Sequence, residues 1–409
     1  MKIKNNLMEI MVSVGVLILL IYSSDPVIKG DSNRYIDGNI IDPPFLSILI
    51  SIMLTLFGNL KSIIIFQTII IGFSIVHFTR TICTFLNLDN YFKILIALFL
   101  FLPIIKFYNY LLTETFGYAF SLLFVSFAVQ LIYNFNSRNI FWVSIFVILL
   151  ILLRKQFIFL YPILVILYIG IFIIKKSKKT FIKLTISFLS ILLISSYLIS
   201  LNKNIDPKNT ERENYSDLIG YGPFYFTYID SIYISTIKDV QLFESTNVQK
   251  TLTKIFKQMN NDKKLVKYYD GRGHFAISFA SIRDYSESQL INLAAEEKTT
   301  VYNLKKKISL TLITANFQKY LYLIFKKFYD ATWLFIFVPF FMTIAAFRAF
   351  IKFKSHFSLL VIFVSSFSLA NHSVIYIFGR VQPRYLIYSD FILLVFIFIL
   401  LSILFKKKI

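Results

Sequence analysis

Residues 42–57 read Asp-Pro-Pro-Phe-Leu-Ser-Ile-Leu-Ile-Ser-Ile-Met-Leu-Thr-Leu-Phe, an apolar run opened by two prolines. At 1.5 Å per residue, a helix over residues 44–57 is about 21 Å long. The hydrocarbon core of a bilayer is about 30 Å thick. If this segment crosses a membrane, every later connection changes sides, so its placement decides the topology of the whole chain.

The composition indicates a membrane protein. Of its 409 residues, 57% are hydrophobic and 16% are charged, whereas soluble domains carry about 25% charged residues. The mean hydropathy is +0.68. We therefore expect an all-α polytopic membrane protein, because helices satisfy their own backbone hydrogen bonds in lipid.

Ten further runs are long and apolar enough to be candidate transmembrane helices. They are residues 7–22, 62–85, 91–108, 112–133, 138–153, 157–174, 181–201, 331–349, 357–378 and 385–405.

The positive-inside rule indicates that residues 44–57 are not an additional transmembrane span. With the N-terminus in the cytoplasm and ten spans, the basic clusters in short connections all become cytoplasmic. These clusters are at Lys93, Arg138, 175–179, 348–354 and 406–408. If residues 44–57 crossed, every cluster after them would be external. We therefore predict that 44–57 is a helix lying in the outer interface or re-entering it.

This topology predicts an N-terminal transmembrane module, a large external loop and a C-terminal set of helices. The three parts are residues 1–201, 202–330 and 331–409, and residues 23–61 form the first external loop. Within the large loop, residues 245–260 and 286–327 have helical composition. The Lys-rich and apolar pattern of 305–327 predicts an amphipathic helix on the membrane surface.

The net charge of +21 is explained by topology and by affinity for anionic lipid, so we expect no nucleic-acid partner. One cysteine, Cys83, excludes an internal disulfide and a metal site built from cysteines.

The first external loop contains four aspartates within twenty residues: Asp25, Asp31, Asp37 and Asp42. Asp31 has Arg34 and Tyr35 close behind it, and the proline-led helix 44–57 would hold its loop near the bilayer. The alternative is an ordinary solvated carboxylate.

The order Asp31-x-x-Arg34-Tyr35, then Pro43-Pro44, then an apolar helix closing with Leu56-Phe57-Gly58 resembles the first external loop of the GT-C glycosyltransferases. It is most similar to the branch of aminoarabinose lipid A transferases and protein O-mannosyltransferases, over roughly residues 7–175. The resemblance implies transfer of a sugar from a polyprenyl-phosphate donor, with Asp31 as the catalytic base. It also implies a site on the outer face of the membrane, here the bacterial cytoplasmic (inner) membrane.

Glu114 is the second candidate catalytic residue. It stands in Leu112-Thr-Glu-Thr-Phe116 at the outer start of an apolar span, and an acid in such a place is expensive. In the resembling family an acidic residue occupies the second external loop, so Glu114 would orient the acceptor or share a divalent cation with Asp31. The alternative is a glutamate that caps the helix, helped by Thr113 or Thr115.

Cations that hold the donor phosphate are expected between the last two spans. Arg380 and Arg384 lie in Gly379-Arg-Val-Gln-Pro-Arg-Tyr385, and arginine binds phosphate oxygens bidentately. The Arg384-Tyr385 pair is similar to a basic-Tyr element of the same family. Snorkelling to lipid headgroups is the alternative.

Arg154 and Lys155 are weaker phosphate candidates, at the outer end of the short span 138–153. His372, beside Asn371 in the ninth span, is a supporting residue. Interhelical hydrogen bonding is the favoured interpretation of this polar pair.

The sequence lacks a Walker A motif, Gly-x-Ser-x-Gly, His-Glu-x-x-His and a cysteine-pair metal site, which suits a donor activated beforehand as a lipid phosphate. The expected activity is inverting glycosyl transfer to a glycan, lipid or protein acceptor of the cell envelope. Two alternatives stay open: an O-antigen or capsule polymerase, and a flippase or transporter of lipid-linked sugars.

Overall fold

The structure is a computed structural model of the chain. It describes residues 7–21, 26–28, 30–36, 43–205, 223–261, 275–378 and 386–406. Within these helices, the described side chains leave out residues 30, 31, 34, 202–205, 223, 275–281, 328–335, 378 and 402–406.

The prediction of an all-α membrane protein is confirmed for the described residues. They contain no β-strand, and their one isolated β-bridge joins Val27 to Tyr110. Seven helical segments are long and apolar enough to cross a membrane: Lys61–Phe85, Asn90–Phe107, Thr113–Tyr133, Lys155–Lys175, Lys178–Leu201, Ile336–Phe353 and His356–Ile377.

Four shorter apolar helices accompany these seven: Leu7–Ile21, Phe45–Phe57, Ser137–Leu153 and Ile387–Leu401. Three of the four belong to the ten predicted spans, so the number of crossings stays a prediction.

The chain divides into two compact units. Unit 1 comprises Met1–Pro207, Phe337–Asn371 and Arg384–Ile409, and unit 2 comprises Lys208–Ile336 and His372–Pro383.

The helices of the first half are α1 (Leu7–Ile21), α2 (Gly30–Ile36), α3 (Phe45–Phe57), α4 (Lys61–Phe85), α5 (Asn90–Phe107), α6 (Thr113–Tyr133), α7 (Ser137–Leu153), α8 (Leu160–Lys175) and α9 (Lys178–Ile205). A 3-10 helix, Lys155–Phe159, joins α7 to α8. The second half contains α10 (Pro223–Ile234), α11 (Thr246–Asn261), α12 (Phe275–Glu296), α13 (Val301–Ala315), α14 (Phe317–Phe353), α15 (His356–Phe378) and α16 (Ile387–Lys406).

Helix α6 is the centre of unit 1. It packs against α4, α7 and α16, and nearly all of its side chains are buried. The Tyr118 hydroxyl donates to the Leu100 carbonyl of α5 at 2.9 Å. A helix that is apolar on all sides is expected at the core of a helix bundle.

Helix α3 has a buried side and an exposed side. Leu46 and Ile50 are buried, whereas Ile48, Ser51 and Ile52 are exposed. The helix begins after Pro44 and ends at Gly58, whose backbone N–H donates to the Leu54 carbonyl from a left-handed conformation (φ 70°). Its 13 residues span about 20 Å, which suits an interfacial helix better than a crossing.

Unit 2 has its own apolar core. Its most deeply buried members come from α10, α11, α12 and α13: Ile232, Leu252, Ile255, Ile282, Leu290, Ile308 and Leu312.

The prediction of one continuous amphipathic helix over residues 305–327 is wrong in two respects, whereas its position at a membrane surface stays a prediction. The segment is broken at Asn316, between α13 and α14. Lys305 and Lys327 are each only 3% exposed. The lysine stems pack inward because each ammonium group has a buried partner: the Tyr225 ring lies 4.2 Å from Lys305 Nζ, and Asp230 Oδ2 lies 2.5 Å from Lys327 Nζ.

Candidate functional site

Glu114 lies in the first turn of α6, and only 1% of it is exposed. The residue before the helix, Leu112, makes no side-chain capping bond. The Thr115 hydroxyl donates to the Phe107 carbonyl at 3.1 Å instead. The Thr113 hydroxyl has no hydrogen-bond partner among the described residues. The first turn of α6 therefore brings a carboxylate into the bundle, where a cation is needed beside it.

Arg154 supplies that cation. Helix α7 ends at Leu153 because the backbone of Arg154 is extended (φ −159°, ψ 132°), and the 3-10 helix begins at Lys155. Arg154 Nη1 lies 3.3 Å from Glu114 Oε1 and donates to the Tyr388 hydroxyl at 2.9 Å. The Arg154 side chain is 18% exposed and that of Glu114 is 2% exposed, so the pair is open to its surroundings on the arginine side.

Tyr388 reaches this pair because α6 has a glycine at the contact. A Cβ on Gly117 would lie 2.8 Å from Tyr388 Cε1, closer than side chains tolerate. Gly117 follows Glu114 by three residues, so both lie on the same face of α6. The Tyr388 ring also packs against Phe157, with ring centroids 5.1 Å apart.

A second polar chain lies beside the first. Gln156 Nε2 donates to Asn371 Oδ1 at 3.2 Å, and Asn371 Nδ2 donates to the Ser389 hydroxyl at 2.9 Å. The Ser389 hydroxyl is also 3.3 Å from Asp390 Oδ1. Asn371 and Ser389 are fully buried, whereas Gln156 and Asp390 are half-buried. The first turn of α16 thus contributes to both polar chains.

The first loop of the chain lies against the connection that precedes Glu114. The Val27 N–H donates to the Asn109 carbonyl at 2.9 Å, and the Leu111 N–H donates to the Val27 carbonyl at 3.4 Å. Gln67 Nε2 donates to the carbonyls of Tyr108 and Tyr110. The bonds of Val27 hold residues 26–28 against the connection that leads into α6, and those of Gln67 tie the same connection to α4.

The start of α3 packs at the same place. The Phe45 ring centroid is 6.1 Å from that of Phe116 and 5.5 Å from that of Phe120, edge to face in both pairs. Phe116 is two residues after Glu114, so the start of α3 and the first turns of α6 form one aromatic cluster.

Asp31 and Arg34 lie in the short helix α2, between residue 28 and α3. Their side chains lie outside those described. Tyr35, on the same helix, is 5% exposed, and Ser32 is fully buried. Val27 before α2 and Phe45 after it lie near the start of α6, and a shared position for the two carboxylates stays a prediction.

The remaining predicted site residues divide into described and undescribed groups. Lys155 is exposed. His372 is fully buried and packs on Tyr376 one turn along α15, with ring centroids 5.8 Å apart. Asn371 makes the interhelical hydrogen bonds expected of this polar pair. Arg380, Arg384 and Tyr385 lie outside the described residues.

A divalent cation would need oxygen ligands from several side chains. Among the described residues, no group of three or more His, Cys, Asp or Glu side chains is close enough to hold a metal ion. This finding does not test a cation shared by Asp31 and Glu114, because the Asp31 side chain is not among those described.

Tyr388, Ser389 and Asp390 are site residues that the sequence did not identify. The sequence does contain a pattern that could have identified them, because Tyr388-Ser-Asp390 places an acid and two hydroxyls at the start of an apolar span. Glu114 became a candidate for the same reason, because an acid in an apolar span is energetically costly. The partnership with Arg154 has no sequence signal, since 234 residues separate Arg154 from Tyr388.

Comparisons of the chain with family models, with curated proteins and with solved structures returned no match. The resemblance to GT-C glycosyltransferases rests on the short motifs of the first loop, and a functional assignment depends on the chemistry of the site.

Proposed function

We propose that the chain is a membrane glycosyltransferase that moves a sugar from a polyprenyl-phosphate donor to a cell-envelope acceptor at the outer face of a bacterial inner membrane. The observation that carries the proposal is the buried Glu114–Arg154–Tyr388 network. It lies where the connection after α5, the end of α7 and the start of α16 meet, next to the first loop. Charged groups placed at the ends of bundle helices suit a substrate that enters from the bilayer.

The reaction needs one base and one set of cations. In the proposed step Asp31 takes the proton of the acceptor hydroxyl while that oxygen attacks the anomeric carbon. The bond from the anomeric carbon to the phosphate oxygen breaks, and its electron pair leaves with the lipid phosphate. A single displacement inverts the anomeric configuration.

Arg380 and Arg384 are the proposed partners of the departing phosphate, with Lys155 as a further cation. Charge that develops on the phosphate is stabilised by donors placed there in advance. Arg154 already donates to Tyr388 and pairs with Glu114, so its guanidinium is fixed in orientation. In this proposal Glu114 acts through Arg154 as a positioning residue.

A polymerase of lipid-linked repeat units is the second candidate. It is favoured by Arg154, a mostly buried arginine held by a carboxylate and a phenol, because external arginines are expected to be the main catalytic groups of such an enzyme. The two functions differ in their need for Asp31.

The test is an assay of sugar transfer by the purified wild type and by Asp31→Asn, with a panel of polyprenyl-phosphate sugars and cell-envelope acceptors. Removal of a general base is expected to lower turnover about 10²- to 10⁴-fold. Asp25→Asn is the matched control, because it makes the same charge change in the same loop and should retain activity. Full activity of Asp31→Asn would exclude Asp31 as the base and with it the proposed mechanism.

A further inference from the structure

Helix α14 exposes a row of large apolar side chains before it reaches its apolar span. Phe317, Leu321 and Phe325 recur every four residues, and Tyr322 lies beside them. All four are exposed, Tyr322 by 69% and Phe325 by 68%. We call these four residues the aromatic stripe.

The opposite side of the same helix is fixed in unit 2. Leu323 is 3% exposed, and Lys327 is paired with the buried Asp230. Residues four apart lie on one face of a helix, so the packing of Leu323 and Lys327 turns the aromatic stripe away from the core of unit 2. The exposure of the stripe is therefore a consequence of the fold of this unit.

Four large apolar side chains within nine residues form an exposed patch of the kind that marks an interaction site. The continuation of α14 points to the nature of the partner. The helix runs to Phe353, and Ile336–Phe353 is apolar enough to cross a membrane. Its 37 residues correspond to about 55 Å, far more than the roughly 30 Å of the hydrocarbon core.

The composition around the aromatic stripe is that of a membrane–water interface. Tyr329 and Trp333 stand between the stripe and the span, and such side chains concentrate at the level of the headgroups. Lys319 and Lys326 flank the stripe, and each lysine near an anionic bilayer surface contributes about 1 kcal/mol of attraction.

We propose that the aromatic stripe of α14 inserts into the interface of the leaflet at which this helix enters the membrane. The apolar rings would occupy the boundary between headgroups and acyl chains, while Lys319 and Lys326 reach lipid phosphates. Unit 2 would then be attached to the bilayer surface through α14. This inference does not depend on the proposed glycosyltransferase activity.

The test measures the depth of a probe at the stripe in the full-length protein. Leu321→Cys, in a Cys83→Ala background, carries an environment-sensitive fluorophore in nanodiscs of neutral and anionic phospholipid. We expect blue-shifted emission, with strong quenching by nitroxides attached to lipid headgroups or to the upper acyl chain. The matched control is Lys257→Cys on the exposed polar face of α11, which should keep a water-like emission and escape quenching.

Two results would overturn the proposal. One is a Leu321 probe as water-exposed and as weakly quenched as the Lys257 probe. The other is a shielded Leu321 probe that lipid nitroxides do not quench, with energy transfer between labelled copies, which would assign the stripe to a second copy of the chain. Phe325→Cys repeats the measurement at a second position, so a local defect at residue 321 would not decide the outcome.

Discussion

The ion pair of Glu114 with Arg154 is unequally buried, and this governs how each residue responds to substitution. The Glu114 side chain is only 2% exposed, whereas the Arg154 side chain is 18% exposed. Removing one member of a buried pair strands the other charge and typically costs about 3–5 kcal/mol, whereas removing both can be close to neutral. The stability of this region thus depends on matched charges.

We predict that Glu114→Gln and Arg154→Gln each lower the thermal stability of the purified protein, and that the double variant is more stable than the sum of the two losses implies. A coupling free energy of about 1–3 kcal/mol is expected for side chains in contact. Thermal unfolding of the four proteins of the cycle in one detergent measures it. Strictly additive losses would mean that the pair contributes no coupling.

Lys305 is the second residue whose burial has a measurable consequence. It lies outside the apolar spans, over the Tyr225 ring, and burial lowers its pKa from the ordinary 10.5 to about 8. Between these two values the unfolded chain binds more protons than the folded one. The free energy of unfolding therefore rises as the pH rises through this window.

We predict that this rise amounts to about 2 kcal/mol between about pH 7.5 and pH 9.5, and that Lys305→Met abolishes it. Hydrogen exchange of α10 and α13 peptides, corrected for the intrinsic effect of pH, reports the stability of this unit. Lys307→Met is the control, because Lys307 is exposed on the same helix and should leave the rise intact. An unchanged slope in Lys305→Met would contradict the prediction. The window stops short of pH 10 because burial raises the pKa of Tyr228, which lowers stability at higher pH.

At the scale of elements, the contact between α6 and α16 depends on one missing side chain. Gly117 leaves room for the Tyr388 ring, and Tyr388 accepts a hydrogen bond from Arg154. The apolar composition of α6 predicted a span, and the structure contains a helix there that is long and apolar enough to cross a membrane. The need for a glycine at position 117 became visible only when α16 was seen against it.

We predict that Gly117→Ala lowers stability by about 1–3 kcal/mol, the usual cost of overpacking a core, because Tyr388 must move away from Arg154. Thermal unfolding in detergent measures the loss. Ser121→Ala is the matched control one turn further along α6. The Ser121 hydroxyl is buried without a hydrogen-bond partner among the described residues, so its removal should cost little. A Gly117→Ala protein as stable as Ser121→Ala would show that Tyr388 adapts without loss.

At the scale of the whole molecule, the sidedness of the membrane protein is predicted from the distribution of charge. The basic clusters in short connections predict a cytoplasmic N-terminus and an interfacial α3. The 13 residues of α3, with exposed apolar and buried apolar faces, agree with an interfacial position. Sidedness itself is a prediction from the positions of Lys and Arg.

We predict that, in spheroplasts, an impermeant maleimide labels Lys257→Cys in α11 and leaves Lys179→Cys unlabelled until the membrane is permeabilised. Both positions are exposed, and Cys83→Ala removes the native thiol. The reverse pattern would mean that residues 44–57 cross the membrane, since a further crossing inverts everything after it.

By itself the sequence determined the helical membrane class, the positions of the long apolar helices and the buried acid Glu114. These follow from composition, from run length and from the cost of placing charge in lipid, which are properties of local sequence. The tertiary structure decided which side chains meet: Arg154 with Glu114 and Tyr388, Gln156 with Asn371, and Lys327 with Asp230. It also turned Lys305 and Lys327 inward, where periodicity had indicated a surface helix. Pairings between distant segments depend on how helices pack, and residues far apart in the chain carry no local pattern that specifies their partner.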